Sequence, residues 1–251
     1  MTLQEFFTVN PKVAIAFSGG VDSAYLLAEA LKYAKEVRAY YVKTVFQPEF
    51  ELEDAKRLAK ELGADMRILT YPILNEKDVV TNPSDRCYHC KRALFSGMVA
   101  AAKADGYPVI LDGTNASDDA SDRPGMRALR EMEVRSPLRE CGLTKSKIRE
   151  VSKELGLFTW KKPAYACLAT RIPTGMPITA EVLQMVERAE AELFAMGFED
   201  FRVRVLDRAM KLQFTKQWMS EAFARREEII SRLKIEGWSI LLDLVPREGG
   251  L

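Results

Sequence analysis

Short apolar runs and amphipathic stretches alternate along the first two thirds of the chain. Val13-Ala14-Ile15-Ala16-Phe17 is a nearly continuous apolar run broken by Ser18-Gly19-Gly20, as expected of a strand covered on both faces. A helix is predicted from about Asp22 to Tyr33, with Leu26, Leu27, Ala30, Leu31 and Ala34 at helical spacing. Val37–Lys43 reads as a strand, Leu52–Leu62 as an amphipathic helix stopped by Gly63, and Asp65–Tyr71 as a third strand ended by Pro72. Cys90–Ala104 reads as a helix. Val109–Leu111 is a short strand running into Asp112-Gly113-Thr114-Asn115, and Ala116–Met126 is a polar loop. Glu133–Leu138 is a further strand candidate, followed by a helix over Thr144–Leu155 that ends at Gly156. This alternation predicts an α/β fold, an open, doubly wound parallel sheet wrapped by helices.

The pattern changes after about residue 160. Pro163, Pro173, Gly175 and Pro177 mark a loop or hinge over Lys161–Pro177. A helix over Thr179–Met196 follows, closed by Gly197. Two strands come next, Phe201–Leu206 and Met210–Phe214, then a long helix from about Lys216 to Ile235 and a last strand, Ser239–Val245. That is an α+β pattern. It places a domain boundary near 170, dividing the chain into 1–170 and a smaller C-terminal domain, 171–251.

Composition narrows the class. Of 251 residues, 47% are apolar and 29% charged, which is ordinary for a globular chain. No apolar run is long enough to span a membrane, so no membrane partner is expected. The start, MTLQEFFTVNPK, carries an acid at Glu5 and no basic stretch before an apolar one, so no signal peptide is expected. A cytoplasmic setting follows, where thiols stay reduced. Lys and Arg total 37 against 36 acids, a net charge of +1, so a large nucleic-acid partner is not expected. The single histidine, His89, excludes any site or triad that needs two.

Ser18-Gly19-Gly20-Val21-Asp22-Ser23 stands between a buried strand and a helix. Glycines there let the backbone approach a ligand closely, and the N–H groups at the helix start converge on one anion. Ser18 and Ser23 add hydroxyls. No Gly-Lys-Ser/Thr follows, so this is not a Walker loop. Asp112-Gly113-Thr114-Asn115 lies at a strand's carboxyl end, where open α/β sheets bind ligands. The four cysteines are Cys87, Cys90, Cys141 and Cys167. Three chemistries suit the Cys87-x-x-Cys90 pair. One is a zinc site completed by other ligands. Another is a redox dithiol. The third is an iron–sulfur site in which Cys87, Cys90 and Cys167 leave one iron open. Arg202 and Arg204 alternate with Phe201, Val203 and Val205, so both arginines share one strand face. That face is either ordinary and solvated or a phosphate clamp.

SGGVDS resembles the pyrophosphate loop of the PP-loop ATP pyrophosphatases. Further strings sharpen the resemblance. They are Arg86-Cys87-Tyr88-His89-Cys90-Lys91, Leu111-Asp112-Gly113-Thr114-Asn115, Arg123-Pro124-Gly125, the segment from Ala166-Cys167 through Gly175, and Arg202-Val203-Arg204. Within the PP-loop enzymes the chain is most similar to the LarE family, sulfur transferases of nickel-pincer nucleotide synthesis.

The resemblance implies that ATP adenylates a carboxylate of a pyridinium biscarboxylic acid mononucleotide and that sulfur then replaces oxygen. It implies ATP and Mg2+ at Ser18, Gly19, Gly20, Asp22 and Ser23, with Asp112, Gly113 and Thr114 beside them. It implies substrate-phosphate contacts at Thr170, Arg171, Arg202 and Arg204. Asp22, Cys167 and Glu190 stand at family catalytic positions. The three-cysteine pattern implies a [4Fe-4S] cluster on Cys87, Cys90 and Cys167 whose open iron carries sulfide. The alternative is sacrificial donation of the Cys167 sulfur. Cys141 fits neither pattern. The resemblance makes 1–170 the ATPase domain and 171–251 a substrate-phosphate-binding and oligomerisation domain, and it implies a homo-oligomer. The rivals are a cluster-dependent tRNA thiolase of the same superfamily, an amidating PP-loop ligase, and a nucleotide-binding or metal-storage module without catalysis.

Overall fold

A computed structural model describes residues 1–118 and 124–248. Arg123, and residues 119–123 of the loop expected over Ala116–Met126, lie outside them. Two compact units emerge: Met1–Val79 with Asp85–Lys162, and Val80–Ser84 with Pro163–Leu251.

The first unit runs α1 (Leu3–Val9), β1 (Lys12–Ala16), α2 (Val21–Tyr33), β2 (Glu36–Lys43), α3 (Glu49–Leu62) and β3 (Asp65–Thr70). It continues through α4 (Lys77–Val80), α5 (Arg86–Ala104), β4 (Val109–Leu111), α6 (Pro124–Glu131), α7 (Pro137–Glu140) and α8 (Lys145–Glu154). Its four strands lie in the order β3-β2-β1-β4, all parallel, with Val13 opposite both Val37 and Val109. Alternation along β1 decides the layers. Val13 and Ile15 join Phe6, Phe7, Ala24, Leu27, Leu58 and Ile148 on one face. Ala14 joins Met98, Ala102 and Leu129 on the other. The sheet is therefore covered by helices on both sides, as the apolar runs anticipate. The chain starts at β1, winds outward to β3, and returns to the other side of β1 as β4. Such a reversal opens a crevice at the strands' carboxyl ends. SGGVDS follows β1 and Asp112–Asn115 follows β4, so both motifs lie at that crevice.

The second unit is a smaller mixed sheet with helices: α9 (Ala180–Ala195), β5 (Arg202–Leu206), β6 (Ala209–Gln213), α10 (Met219–Ala224), α11 (Arg226–Leu233) and β7 (Ser239–Leu242). β5 and β6 form an antiparallel hairpin, and β7 joins β6 in parallel. Phe201 and Phe214 pack with centroids 5.9 Å apart, and Phe198 meets Phe214 at 5.0 Å. A strap from the middle of the chain completes the unit. Asn82 is fully buried and left-handed at φ 56°. Its amide donates to the carbonyls of Pro173 at 2.7 Å and Met176 at 3.0 Å, and its own carbonyl accepts from Gly175 N–H.

Four expectations need correction. The α5 helix begins at Arg86 rather than Cys90, so the CxxC pair lies within its first turns. Glu133–Leu138 is not a strand: only Arg135 bridges to Leu111, and Pro137, with no N–H to give a sheet, starts α7. The polar loop ends sooner, because α6 begins at Pro124. The long helix expected over Lys216–Ile235 is broken at Arg225, whose φ −95° and ψ 18° leave the helical region while its guanidinium binds the Met196 carbonyl at 2.8 Å. Among the described residues no helix is long and apolar enough to cross a membrane.

A polar cluster closes one edge of the first unit. Asp105 accepts from Tyr40 Oη at 2.7 Å and Arg67 Nη1 at 2.6 Å, with Arg38 at 3.1 Å. The tyrosine hydroxyl and the two guanidiniums pull its carboxyl down to about 2. The unfolded value is about 3.9. The stabilisation is therefore complete above about pH 4 and is lost as pH falls through the folded value. Asp105→Asn should lower the melting temperature at neutral pH and flatten its decline below pH 4. Melting curves that stay parallel across that range would refute this assignment.

Candidate active site

The loop after β1 is built almost entirely from backbone. Gly19 takes φ +73°, and a Cβ there would stand 3.1 Å from the Ala55 Cα of α3. Gly20 is the N-cap of α2, and among the described residues no side chain caps that helix, which leaves its first amides to a ligand. Ser23 is buried. Its hydroxyl donates to the Gly20 carbonyl at 3.1 Å and accepts from Ser18 N–H at 3.3 Å, while Gly20 N–H donates to Ser18 Oγ. The two serine oxygens are 3.1 Å apart. The result is a rigid hydroxyl- and amide-lined cradle at a helix N-terminus, which favours anions.

The turn after β4 packs onto this cradle. A Cβ on Gly113 would lie 3.0 Å from Ser23 N, so any larger residue would press on the start of α2. Asp112 is buried and accepts from Thr114 Oγ1 at 2.5 Å and Ser136 Oγ at 2.6 Å, which fixes the turn. Asn115 Nδ2 reaches Asp22 Oδ1 at 3.4 Å. On the other side, Lys145 Nζ stands 2.5 Å from Asp22 Oδ2. Burial raises the Asp22 carboxyl above the ordinary range, and the Lys145 ammonium pulls it back. The structure thus gathers Ser18, Gly19, Gly20, Asp22, Ser23, Asp112, Gly113 and Thr114 in one unit around one crevice.

The cysteines divide between the units. Cys87 is exposed and Cys90 half-buried. Three residues apart at the start of α5, they point to one side of the helix. Arg86 Nη2 is 4.0 Å from Cys87 Sγ, and His89 Nε2 lies 3.2 Å from Asp85 Oδ2. The half-buried Cys141 packs against the core of the first unit, and burial pushes its thiol up. Cys167 belongs to the second unit. Among the described residues no three His, Cys, Asp or Glu side chains are gathered as a metal site.

In the second unit Cys167 precedes a 3-10 turn, Leu168–Arg171. Its carbonyl accepts from Thr170 N–H at 3.0 Å and Thr170 Oγ1 at 2.7 Å. Arg171 and Glu190 form an ion pair at 2.7 Å, with side chains 1% and 2% exposed. Glu190 also accepts from Val203 N–H at 2.9 Å and from the Tyr165 hydroxyl. The surface position open to a helix carboxylate is therefore not the one it takes. Arg202 is buried, and its guanidinium donates to the carbonyls of Phe201 at 2.6 Å and Ala164 at 2.5 Å. Burial, then the charges of Arg171 and Arg247, bring it down to about 10. Arg204 is exposed and donates to Thr170 O at 3.0 Å and Gln213 Oε1 at 2.6 Å. Both β5 arginines thus hold the Cys167 loop, one at each end.

This architecture has relatives. The model of "Queuosine biosynthesis protein QueC" matches residues 12–84, which include the cradle. An uncharacterised protein of Synechocystis is 38% identical over 80% of this chain and 76% of its own. The pyridinium-3,5-bisthiocarboxylic acid mononucleotide synthase of Lactiplantibacillus plantarum is 30% identical over 93% of this chain and 86% of its own. The chain belongs to the LarE family. A more distant relative is the tRNA-specific 2-thiouridylase MnmA of a Thermotoga species, 27% identical over 60% of this chain. As a LarE-family protein with a PP-loop it is an ATP-dependent sulfur-transferring enzyme.

Three residues beside these LarE-family motifs carry no sequence signal. Lys145 looks like any helix-start lysine. Asn82 looks like a turn residue before a proline. Lys162, which pairs with Glu51 at 3.0 Å and Asp54 at 2.6 Å, looks solvated.

Two substitutions test the packing. Gly113→Ala should weaken ATP binding and cost about 1–3 kcal/mol of stability, the usual range for overpacking; nucleotide titration with urea unfolding measures both, and unchanged affinity would refute the close-contact argument. Glu190→Ala strands a buried Arg171 and should cost about 3–5 kcal/mol. A loss below about 1 kcal/mol, at the level of an exposed pair, would count against the buried hub.

Proposed function

We propose that this enzyme uses ATP to adenylate a carboxylate of a pyridinium dicarboxylic acid mononucleotide and then exchanges oxygen for sulfur. The carboxylate oxygen attacks the α-phosphorus and pyrophosphate leaves. A sulfide then attacks the acyl carbon; the C–S bond forms, the C–O bond to AMP breaks, and a thiocarboxylate remains. The observation that carries the reading is the cradle. It is an anion site at the N-terminus of α2, sealed by Gly19 and Gly113, in a chain 30% identical over nearly its full length to a synthase of the bisthiocarboxylic nucleotide.

The residues divide the work. Ser18, Gly19, Gly20 and Ser23 hold the departing pyrophosphate, and the turn Asp112–Thr114 keeps the cradle in shape. Asp22 offers the hard carboxylate oxygen that Mg2+ prefers, and that ion would neutralise phosphate charge there. Arg204 faces solvent and takes the substrate phosphate beside Thr170. Arg171 and Arg202 fix the loop that presents Cys167, and Glu190 fixes Arg171.

Cys87, Cys90 and Cys167 fit an iron–sulfur cluster by donor type, since three thiolates leave one iron open. When bound, such a cluster would supply a replaceable sulfide. Sacrificial donation from Cys167 is the competing source. A tRNA thiolase is disfavoured by the near-neutral charge. Assembly into a homo-oligomer through the C-terminal region belongs to the same reading.

Anaerobic preparations of wild type and of Cys87→Ala, Cys90→Ala and Cys167→Ala test the sulfur source. About four irons per chain, lost in each variant, together with AMP and pyrophosphate formed only when the nucleotide substrate is present, is the expected result. An iron-free wild type whose Cys167 loses the mass of one sulfur would replace the cluster by sacrifice. Absence of AMP under every condition would overturn the adenylation.

A further inference from the structure

A cavity that shares no residue with the cradle or the Cys167 loop opens beside the cysteine pair of α5. It encloses about 380 Å³, within the range of small-molecule sites, and lies between the segment after β3 and one face of α5, all within the first unit. Its walls carry opposite charges that do not meet. Glu76 and Asp78 come from the segment, and His89 and Arg92 from the helix. Glu76 accepts from the Tyr71 hydroxyl at 2.5 Å through one oxygen, which leaves its other oxygen open. His89 faces Asp85 at 3.2 Å. Among the described residues Asp78 and Arg92 make no ion pair, and Arg92 has the Tyr88 hydroxyl at 3.4 Å and the Tyr88 ring at 5.5 Å as its contacts. An anion and a cation thus line one cavity, each without an ionic partner.

Gly97 adds an independent sign. It lies well inside α5, where glycine weakens a helix relative to alanine. Its backbone is not left-handed. Outside the helix backbone, a Cβ there would meet the Tyr71 ring at 3.9 Å, an ordinary contact. Neither angle nor packing therefore demands glycine. What a side chain would take at this position is space in the cavity, which Gly97 lines. Ala93 and Gly97, three and seven residues after Cys90, continue the stripe of the helix on which Cys90 stands.

We propose that this cavity binds a free thiol-bearing α-amino acid, of which L-cysteine is the simplest. The ammonium group goes to Asp78 and the open oxygen of Glu76, and the carboxylate takes the guanidinium fork of Arg92. The side chain lies on the small-residue wall of Ala93 and Gly97, which leads to Cys90. The choice of a thiol rests on the reading that the cysteine pair serves sulfur transfer. The match to a zwitterion stands without it. Binding brings a sulfur atom to the cysteine pair, and no bond forms or breaks in that step.

Anaerobic calorimetric titration under a phosphine reductant tests this with four probes: L-cysteine, L-serine, cysteamine, which lacks the carboxylate, and 3-mercaptopropionate, which lacks the ammonium. Wild type should bind L-cysteine about tenfold or more tighter than each of the others, the worth of one charge-assisted contact for the two truncated thiols. Arg92→Gln should weaken L-cysteine about tenfold and leave cysteamine within about twofold. Asp78→Asn should weaken L-cysteine similarly and leave 3-mercaptopropionate within about twofold. Gly97→Leu fills the cavity and should abolish L-cysteine binding without a lower melting temperature, since leucine is the better helix former. If Gly97→Leu does melt lower, the contrast is read on Arg92 and Asp78, whose side chains lie at the surface. The three thiols binding alike would mean that the sulfur alone is recognised, and that overturns the site. So does L-serine binding as tightly as L-cysteine, or L-cysteine binding that none of the three variants weakens. Wild type that binds L-cysteine as described but forms no AMP with the nucleotide substrate overturns the sulfur-transfer reading and leaves the zwitterion site standing. Wild type that forms AMP but does not bind L-cysteine overturns the site alone.

Discussion

Backbone presses on backbone at the start of α2, and a methyl group there would meet contacts of 3.0–3.1 Å that neighbours would have to yield to. Ala55 closes one side, 3.1 Å from where a Gly19 Cβ would stand, and Ser23 N closes the other, 3.0 Å from where a Gly113 Cβ would stand. The contact brings three parallel crossings to one point. β1 delivers the loop, α3 backs it, and β4 returns to seal it. Doubly covered strands with opposite side-chain sets are what hold those crossings in register. The cradle is therefore a property of the whole sheet and not of a local loop.

The two units handle charge differently. In the first, one half-buried carboxylate shares an ammonium within reach of solvent, an arrangement a ligand can reopen. In the second, a fully buried carboxylate collects Arg171, Tyr165 and the Val203 amide and leaves little for a ligand to displace. The first pattern suits binding and release. The second suits holding a short cysteine-bearing loop in one conformation, since moving it would bare a buried charge.

Much of this was legible in the sequence because parallel strands buried on both faces read as plain apolar runs, and glycine stops mark helix ends. β1, β2, β3, α2, α3 and β4 follow from those signals within a few residues. The rest fails for identifiable reasons. Arg86-Cys87-Tyr88-His89-Cys90 has no apolar period, so the true start of α5 is silent. Glu133–Leu138 has strand-like letters, but Pro137 removes the donor a strand requires. The break at Arg225 is a single residue's dihedral pair, invisible to a periodicity summed over turns. SGGVDS and the turn after β4 announce themselves by glycine. Lys145 and Asn82 do not, because their importance comes from partners more than ninety residues away in sequence. The burial of Glu190 is hidden likewise, in an otherwise ordinary amphipathic helix.

The strap over Val80–Ser84 has a consequence for how such a protein can evolve. Because these residues belong to the second unit while their neighbours on both sides belong to the first, the chain passes between units after Val79, after Ser84 and after Lys162. A fusion or truncation event cuts a chain once. No single cut here releases a self-sufficient module: a fragment ending at Lys162 keeps Asn82 but loses the carbonyls of Pro173 and Met176 that its amide serves. The C-terminal unit is thus not an appendage to be gained or shed at one junction. Gaining or losing either unit whole would take more than one cut in the chain.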